Sequence, residues 1–266
     1  LATGVLLSAA TNAQDEKSTR YGNRSDEVIL TDFSRKPARE LVAEYFGGPH
    51  YPLFVIHRLM ELGDPTVLPA LQVAFARERD SSTRQFLAAA LVRLGDKDPR
   101  YFGYVSEAAT RAIRADLPLS LSAAASVVEN GRAPDALITW AQIHRTDLQG
   151  AVWLGTVELP AAVEALGETA DRRSFPILLR GLHSRNFFIV NEAALGLAHL
   201  SNPKTVKAII SACKRLSADE RPWVAKTLLY FDTPQAQRAA EQLIADPVLL
   251  ARWREQRRRG LAVSLR

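Results

Sequence analysis

At 266 residues the chain is long enough for one large domain, for two, or for a stacked repeat in which each unit touches only its neighbours. A composition of 47% hydrophobic and 24% charged residues excludes wholesale disorder, and a single cysteine, Cys213, excludes an intrachain disulfide and a cysteine zinc site. The net charge of +5 resides in residues 250–266, where six arginines face one glutamate; the rest is neutral and lacks the basic body of a phosphate-binding groove.

The first ten residues are apolar and small, and Thr11-Asn12-Ala13 precedes polar Gln14-Asp15-Glu16-Lys17. This pattern reads as the end of a secretory signal over 1–13, with a polar lead-in over 14–36. It predicts a periplasmic or secreted protein; the alternative is the apolar start of a cytoplasmic one. Val28-Ile29-Leu30 is the only short strand candidate.

From residue 37 onward the pattern is helical and punctuated. Breaks fall at Leu62-Gly63-Asp64-Pro65, Leu94-Gly95-Asp96, Asn130-Gly131, Leu166-Gly167-Glu168, Leu200-Ser201-Asn202-Pro203 and Phe231-Asp232-Thr233-Pro234. Glycine accepts the left-handed conformation that ends a helix. Asp64, Asp98, Asn202 and Thr233 are placed to cap the next helix, and proline fits its first position. Secondary breaks such as Arg79-Asp80-Ser81-Ser82 and His183-Ser184-Arg185-Asn186 split each interval into an A and a B helix.

The predicted A helices are 37–46, 65–78, 99–115, 134–144, 172–183, 203–216 and 234–244. The predicted B helices are 51–62, 82–94, 118–129, 148–166, 186–200 and 219–231. The pair at 134–166 fits worst, because Pro160 must kink or restart its B helix. A closing helix is expected over 246–259, with Trp253 packed on the last pair and a basic tail to residue 266. Trp140 and Cys213 read as core.

Leu62-Gly63-Asp64-Pro65-Thr66-Val67-Leu68-Pro69-Ala70-Leu71, with Arg84 to Gly95, resembles the short HEAT repeat first described in phycobilisome lyases. Leu166-Gly167-Glu168 to Leu179, with Asn191-Glu192-Ala193-Ala194-Leu195-Gly196, resembles it again. The likeness covers about 50–245 and is faint over 100–160. It implies an all-α fold, an α-solenoid of about six HEAT-like helix pairs over 37–245, whose B helices line a concave binding surface.

Motifs for chemistry are missing. His50, His57, His144, His183 and His199 stand in no metal-ligand spacing, and no GxSxG elbow, phosphate loop or GxGxxG occurs. No catalytic residue, metal or cofactor is predicted. His57 and Glu61 are placed to meet on one helix face.

Repeat alignment puts Trp223 in one column with Phe54, Phe86, Glu158 and Glu192, a mixture of aromatics and carboxylates that predicts the border of the exposed B surface. Arg84, Gln85, Asn191 and Arg221 flank it. The partner-binding candidates are therefore Arg84, Gln85, Glu158, Asn191, Glu192, Arg221 and Trp223, and Trp and Arg are the usual interface anchors. The predicted function is a non-catalytic scaffold for a protein partner. The alternatives are a nucleic-acid module of the HEAT-like glycosylase kind and, from the repeat's family name alone, a bilin lyase subunit.

Overall fold

The computed structural model describes residues 35–47, 52–115, 119–120 and 159–258. The predicted signal remnant 1–13, most of the lead-in, all but Leu119 and Ser120 of the helix predicted at 118–129, the helix predicted at 134–144, Trp140 and Glu158 lie outside these residues. The described chain is all-helical, with twelve helices and no strand. Among the described residues no helix is long and apolar enough to cross a membrane.

The helices are α1 (Ala38–Phe46), α2 (Pro52–Leu62), α3 (Leu68–Arg77), α4 (Ser81–Arg93), α5 (Pro99–Arg114) and α6 (Leu159–Glu168). They continue with α7 (Phe175–Gly181), α8 (Phe187–His199), α9 (Val206–Cys213), α10 (Arg221–Ala225), α11 (Pro234–Leu243) and α12 (Pro247–Arg258). Short 3-10 turns lead into α3, α7 and α9, and a longer one, Lys226–Tyr230, continues α10.

Their starts follow from local chemistry. Asp64, Asp98, Asn202 and Thr233 each accept a backbone N–H of the turn that follows, as the sequence predicts. Asp80, Asp171 and Asn186 do the same. These contacts satisfy donors that no helical carbonyl can reach. Gly63 and Gly95 hold φ of +65° and +97°, the left-handed turn expected of them. At the two later breaks Ala170 and Ser201 take that conformation at φ near 50°.

The even-numbered helices pack on one another in series and are here called the even row; the odd-numbered helices are called the odd row. In the even row α2 packs on α4, α4 on α6, α6 on α8, α8 on α10 and its 3-10 extension, and that extension on α12. Each even helix from α2 to α10 also packs on a helix of the odd row, as α4 does on α3 and α8 on α7. An inner even helix is therefore covered on several sides, which explains its composition. Every residue from Gln85 to Leu91 in α4 is buried, and α8 buries Phe187, Ile189, Val190, Asn191, Ala193, Ala194, Gly196, Leu197 and Ala198. By contrast α5 buries one stripe, Tyr101, Val105, Ala108, Ala109 and Ala112, at helical spacing.

In the faint region the packing of α6 is defined, while residues 121–158 lie outside the described ones. The sequence pairs 99–115 with 118–129 and adds a further pair over 134–166. In the structure α6 lies directly against both α4 and α5, so it occupies the even place beside α5. Its apolar residues Ala161, Ala162, Val163, Ala165 and Leu166 complete the core there. The intervening chain touches the row at Leu119, whose carbonyl accepts from the Phe187 N–H at 2.8 Å. Pro160 stands in the first described turn of α6.

Gly167 also has a different task from the one its break suggests. It is helical and buried, and a Cβ built on it would stand 2.7 Å from the Gly196 Cα. The α6 and α8 backbones meet there, and only glycine on both sides permits it. Gly167→Ala and Gly196→Ala are each expected to cost roughly 1–3 kcal/mol of stability, as overpacked cores do. Gly103→Ala, on an open helical site with nothing within 4 Å of its Cβ, is expected to add roughly 0.5–1 kcal/mol. Urea unfolding of the three variants checks both signs; parent-like midpoints for the first two would remove the close approach.

Candidate functional site

Charged residues interrupt three successive apolar runs of the even row: Glu164 within Ala161–Leu166, Glu192 within Ile189–Leu197, and Lys226 within Val224–Leu229. The Gly167–Gly196 contact draws α6 and α8 together one turn from Glu164 and Glu192. Both carboxylates, with Glu168, lie close enough for their charges to act on one another. His57 of α2 extends the group, its Nε2 3.8 Å from Glu164 Oε1, and its ring lies against Phe86 of α4 at 4.9 Å. Arg93 of α4 donates to the Glu168 carbonyl at 2.9 Å, and His199 Nδ1 lies 3.5 Å from Glu168 Oε1. The result is a polar track across α2, α4, α6, α8 and the turn after α10, on a face where most neighbours are apolar.

Most track side chains are half-buried, with Glu164 27% and Glu168 18% exposed. Burial pushes the Glu192 carboxyl up to about 8, and the charge of Glu164 adds to the shift. The Asn191 Nδ2, which donates to Glu192 Oε1 at 2.9 Å, and the charge of Lys226 oppose it. Burial likewise pushes the Lys226 ammonium down to about 8, against the field of Glu192. At neutral pH Glu192 is thus mainly a neutral acid, and Lys226 keeps its proton in most molecules.

Lys226 is 2% exposed. Its Nζ lies 5.1 Å from the centre of the Trp223 ring and 5.3 Å from that of Trp253. The two indoles are tilted on each other at 5.7 Å. Trp253 is buried, as the sequence predicts, whereas Trp223 is 37% exposed. An exposed indole thus covers a buried cation at the end of the track.

The predicted partner-binding residues divide between this track and other places. Asn191, Glu192 and Trp223 belong to it. Gln85 is buried, its Nε2 3.3 Å from Ser81 Oγ, and its Oε1 has no partner. Arg84 turns toward the odd row and stacks its guanidinium over Phe75 at 4.6 Å and Tyr104 at 5.3 Å. Arg221 donates to the Cys213 and Leu216 carbonyls and so closes the end of α9. In the aligned column, Phe86 is fully buried rather than at a surface border. Its neighbours cover it on both sides, which a one-dimensional alignment does not register.

Sequence reasoning missed Glu164, Glu168, His57, His199 and Lys226 as a group. The available signal was a single charge inside each apolar run. His57 meets Glu164 of a distant helix, and it is Arg58 that pairs with Glu61, at 2.9 Å. Cys213 is buried and its thiol is pushed up to about 12 by burial, so it is a poor nucleophile. No group of three His, Cys, Asp or Glu among the described residues is arranged to hold a metal ion.

The two shifted groups give a pH signature. Glu192 moves from an ordinary 4.5 up to about 8 on folding, so its contribution is complete below 4.5 and is lost as pH rises through 8. Lys226 moves from 10.5 down to about 8, so its contribution is lost as pH falls through 8 and recovered toward 10.5. Stability from this pair is therefore lowest near pH 8. Glu192→Gln is expected to remove the fall between pH 5 and 8, a gain on the order of a few kcal/mol at pH 8 relative to pH 5. Chemical denaturation at both pH values measures it, and parallel pH profiles for parent and variant would contradict the burial of this carboxyl. Comparison with protein-family models, curated proteins and solved structures returns no match for this chain.

Proposed function

We propose that the chain is an α-solenoid of HEAT-like helix pairs and a non-catalytic scaffold that binds a protein partner along its even row. The observation that carries this reading is the half-buried polar track, with exposed Trp223 at one end. It crosses five successive elements, as an extended binding surface on stacked helix pairs requires. Nothing in ordinary packing calls for charges in these apolar runs, since burying them opposes folding.

The signs of the charges favour protein over nucleic acid. Glu164 and Glu168 line the centre of the track, where they would repel a phosphate backbone. Trp223 supplies the exposed aromatic surface that protein interfaces use as an anchor. No observation favours bilin chemistry, and the thiol of Cys213 is buried.

Replacement of Trp223 by a photocrosslinking amino acid, with irradiation in extract of the source cells, tests the reading. A discrete, protease-sensitive adduct is expected from that position and none from Arg180, which is exposed on α7 of the other row. A nuclease-sensitive adduct, or equal labelling at both positions, would overturn it.

A further inference from the structure

The Lys226 side chain is 2% exposed, and the described residues offer its ammonium no oxygen to donate to. Among the described residues, no hydrogen bond or ion pair forms to its Nζ. The indole faces of Trp223 and Trp253 stabilise its charge but leave its N–H groups without acceptors. Its Nζ is not one of the side-chain atoms that are both fully buried and unpaired, so an acceptor can reach it from solvent. The residue lies in the 3-10 turn that packs on α8, α11 and α12.

We propose that Lys226, covered by Trp223 and Trp253, is a subsite for a carboxylate of the protein partner, an acidic side chain or a chain terminus. The proposal rests on the scaffold reading and names the chemistry its partner brings. Charge complementarity selects the occupant: an oxygen anion fills the empty donor positions, and the atoms around it stack on the exposed face of Trp223. The nearest carboxyl does not compete, because Glu192 is engaged by the Asn191 amide at 2.9 Å and makes no ion pair with Lys226. As a neutral acid below pH 8, it also adds little repulsion toward an incoming anion.

Glu164 and Glu168 on α6 act on Glu192 rather than on Lys226, and on α12 Arg257 donates to the Leu229 carbonyl of the same turn and to Asp232. Glu168 is already engaged by Arg93 and His199, and Glu164 by His57. Lys226 is thus the cation in the track with no anion assigned. Both titrations near pH 8 act in one direction: as pH rises, Lys226 loses its charge and Glu192 gains one. Carboxylate binding therefore weakens from pH 7 to 9, well below the range in which an exposed lysine titrates.

Selection of random peptides displayed on phage against the full 266-residue chain at pH 7 tests the subsite. The expected peptides share an aspartate, a glutamate or a free C-terminal carboxylate. They bind Lys226→Met about tenfold more weakly, as loss of one charge-assisted contact predicts. Methionine is similar in length and apolar, and the thermal melt of the variant reports whether the fold is kept. Arg180→Met, at an exposed position on α7 outside the track, is the second variant and is expected to retain binding. Enriched peptides without a shared carboxylate, or undiminished binding by a folded Lys226→Met protein, would overturn the subsite while the scaffold reading stands. An absence of any enrichment would overturn both.

Discussion

Gly167 and Gly196 meet backbone to backbone, and the geometry of the even row depends on that contact. A Cβ on either residue would stand 2.7 Å from the other's Cα, inside any tolerable separation. The approach sets the spacing of α6 and α8, and with it the distance between Glu164, Glu168 and Glu192. A wider spacing, filled by alanine or valine, would let water between these carboxylates and relieve the mutual repulsion and desolvation that raise Glu192. One steric constraint thus links the core packing to the electrostatics of the track.

The inner even helices are buried on several sides, so a polar group there has few ways to be satisfied. Asn191 gives its Nδ2 to Glu192 and keeps an unpaired Oδ1. Gln85, at the matching place of α4, keeps an unpaired Oε1. Asn186 and Thr205, also buried, are accounted for as a helix cap and by a hydroxyl donated to the Asn202 carbonyl. By contrast Arg84, turned toward the odd row, keeps a buried Nε without a partner.

The folding plan was largely legible. Caps at Asp64, Asp98, Asn202 and Thr233, glycine turns at Gly63 and Gly95, and apolar stripes at 3.6-residue spacing act within a few residues of themselves. A linear reading captures them for that reason. Nothing local, by contrast, reveals that α6 packs directly on α4. Gly167 was legible as important and misread as a turn, since a glycine needed for close approach and one needed for a positive φ look alike in one dimension.

The candidate site was legible only in part. Asn191, Glu192 and Trp223 were found from repeat position, whereas Arg84 and Arg221 have aliphatic stems long enough to turn toward the odd row or back to their own helix end. By itself the sequence determined where helices begin and end, which faces are apolar, and that charges stand inside apolar runs, because these depend on neighbours along the chain. Only the tertiary structure decided that Glu164, Glu192 and Lys226 share one track beneath Trp223. Their separation in sequence is bridged by helix packing, and burial, which shifts their protonation, exists only once that packing is complete.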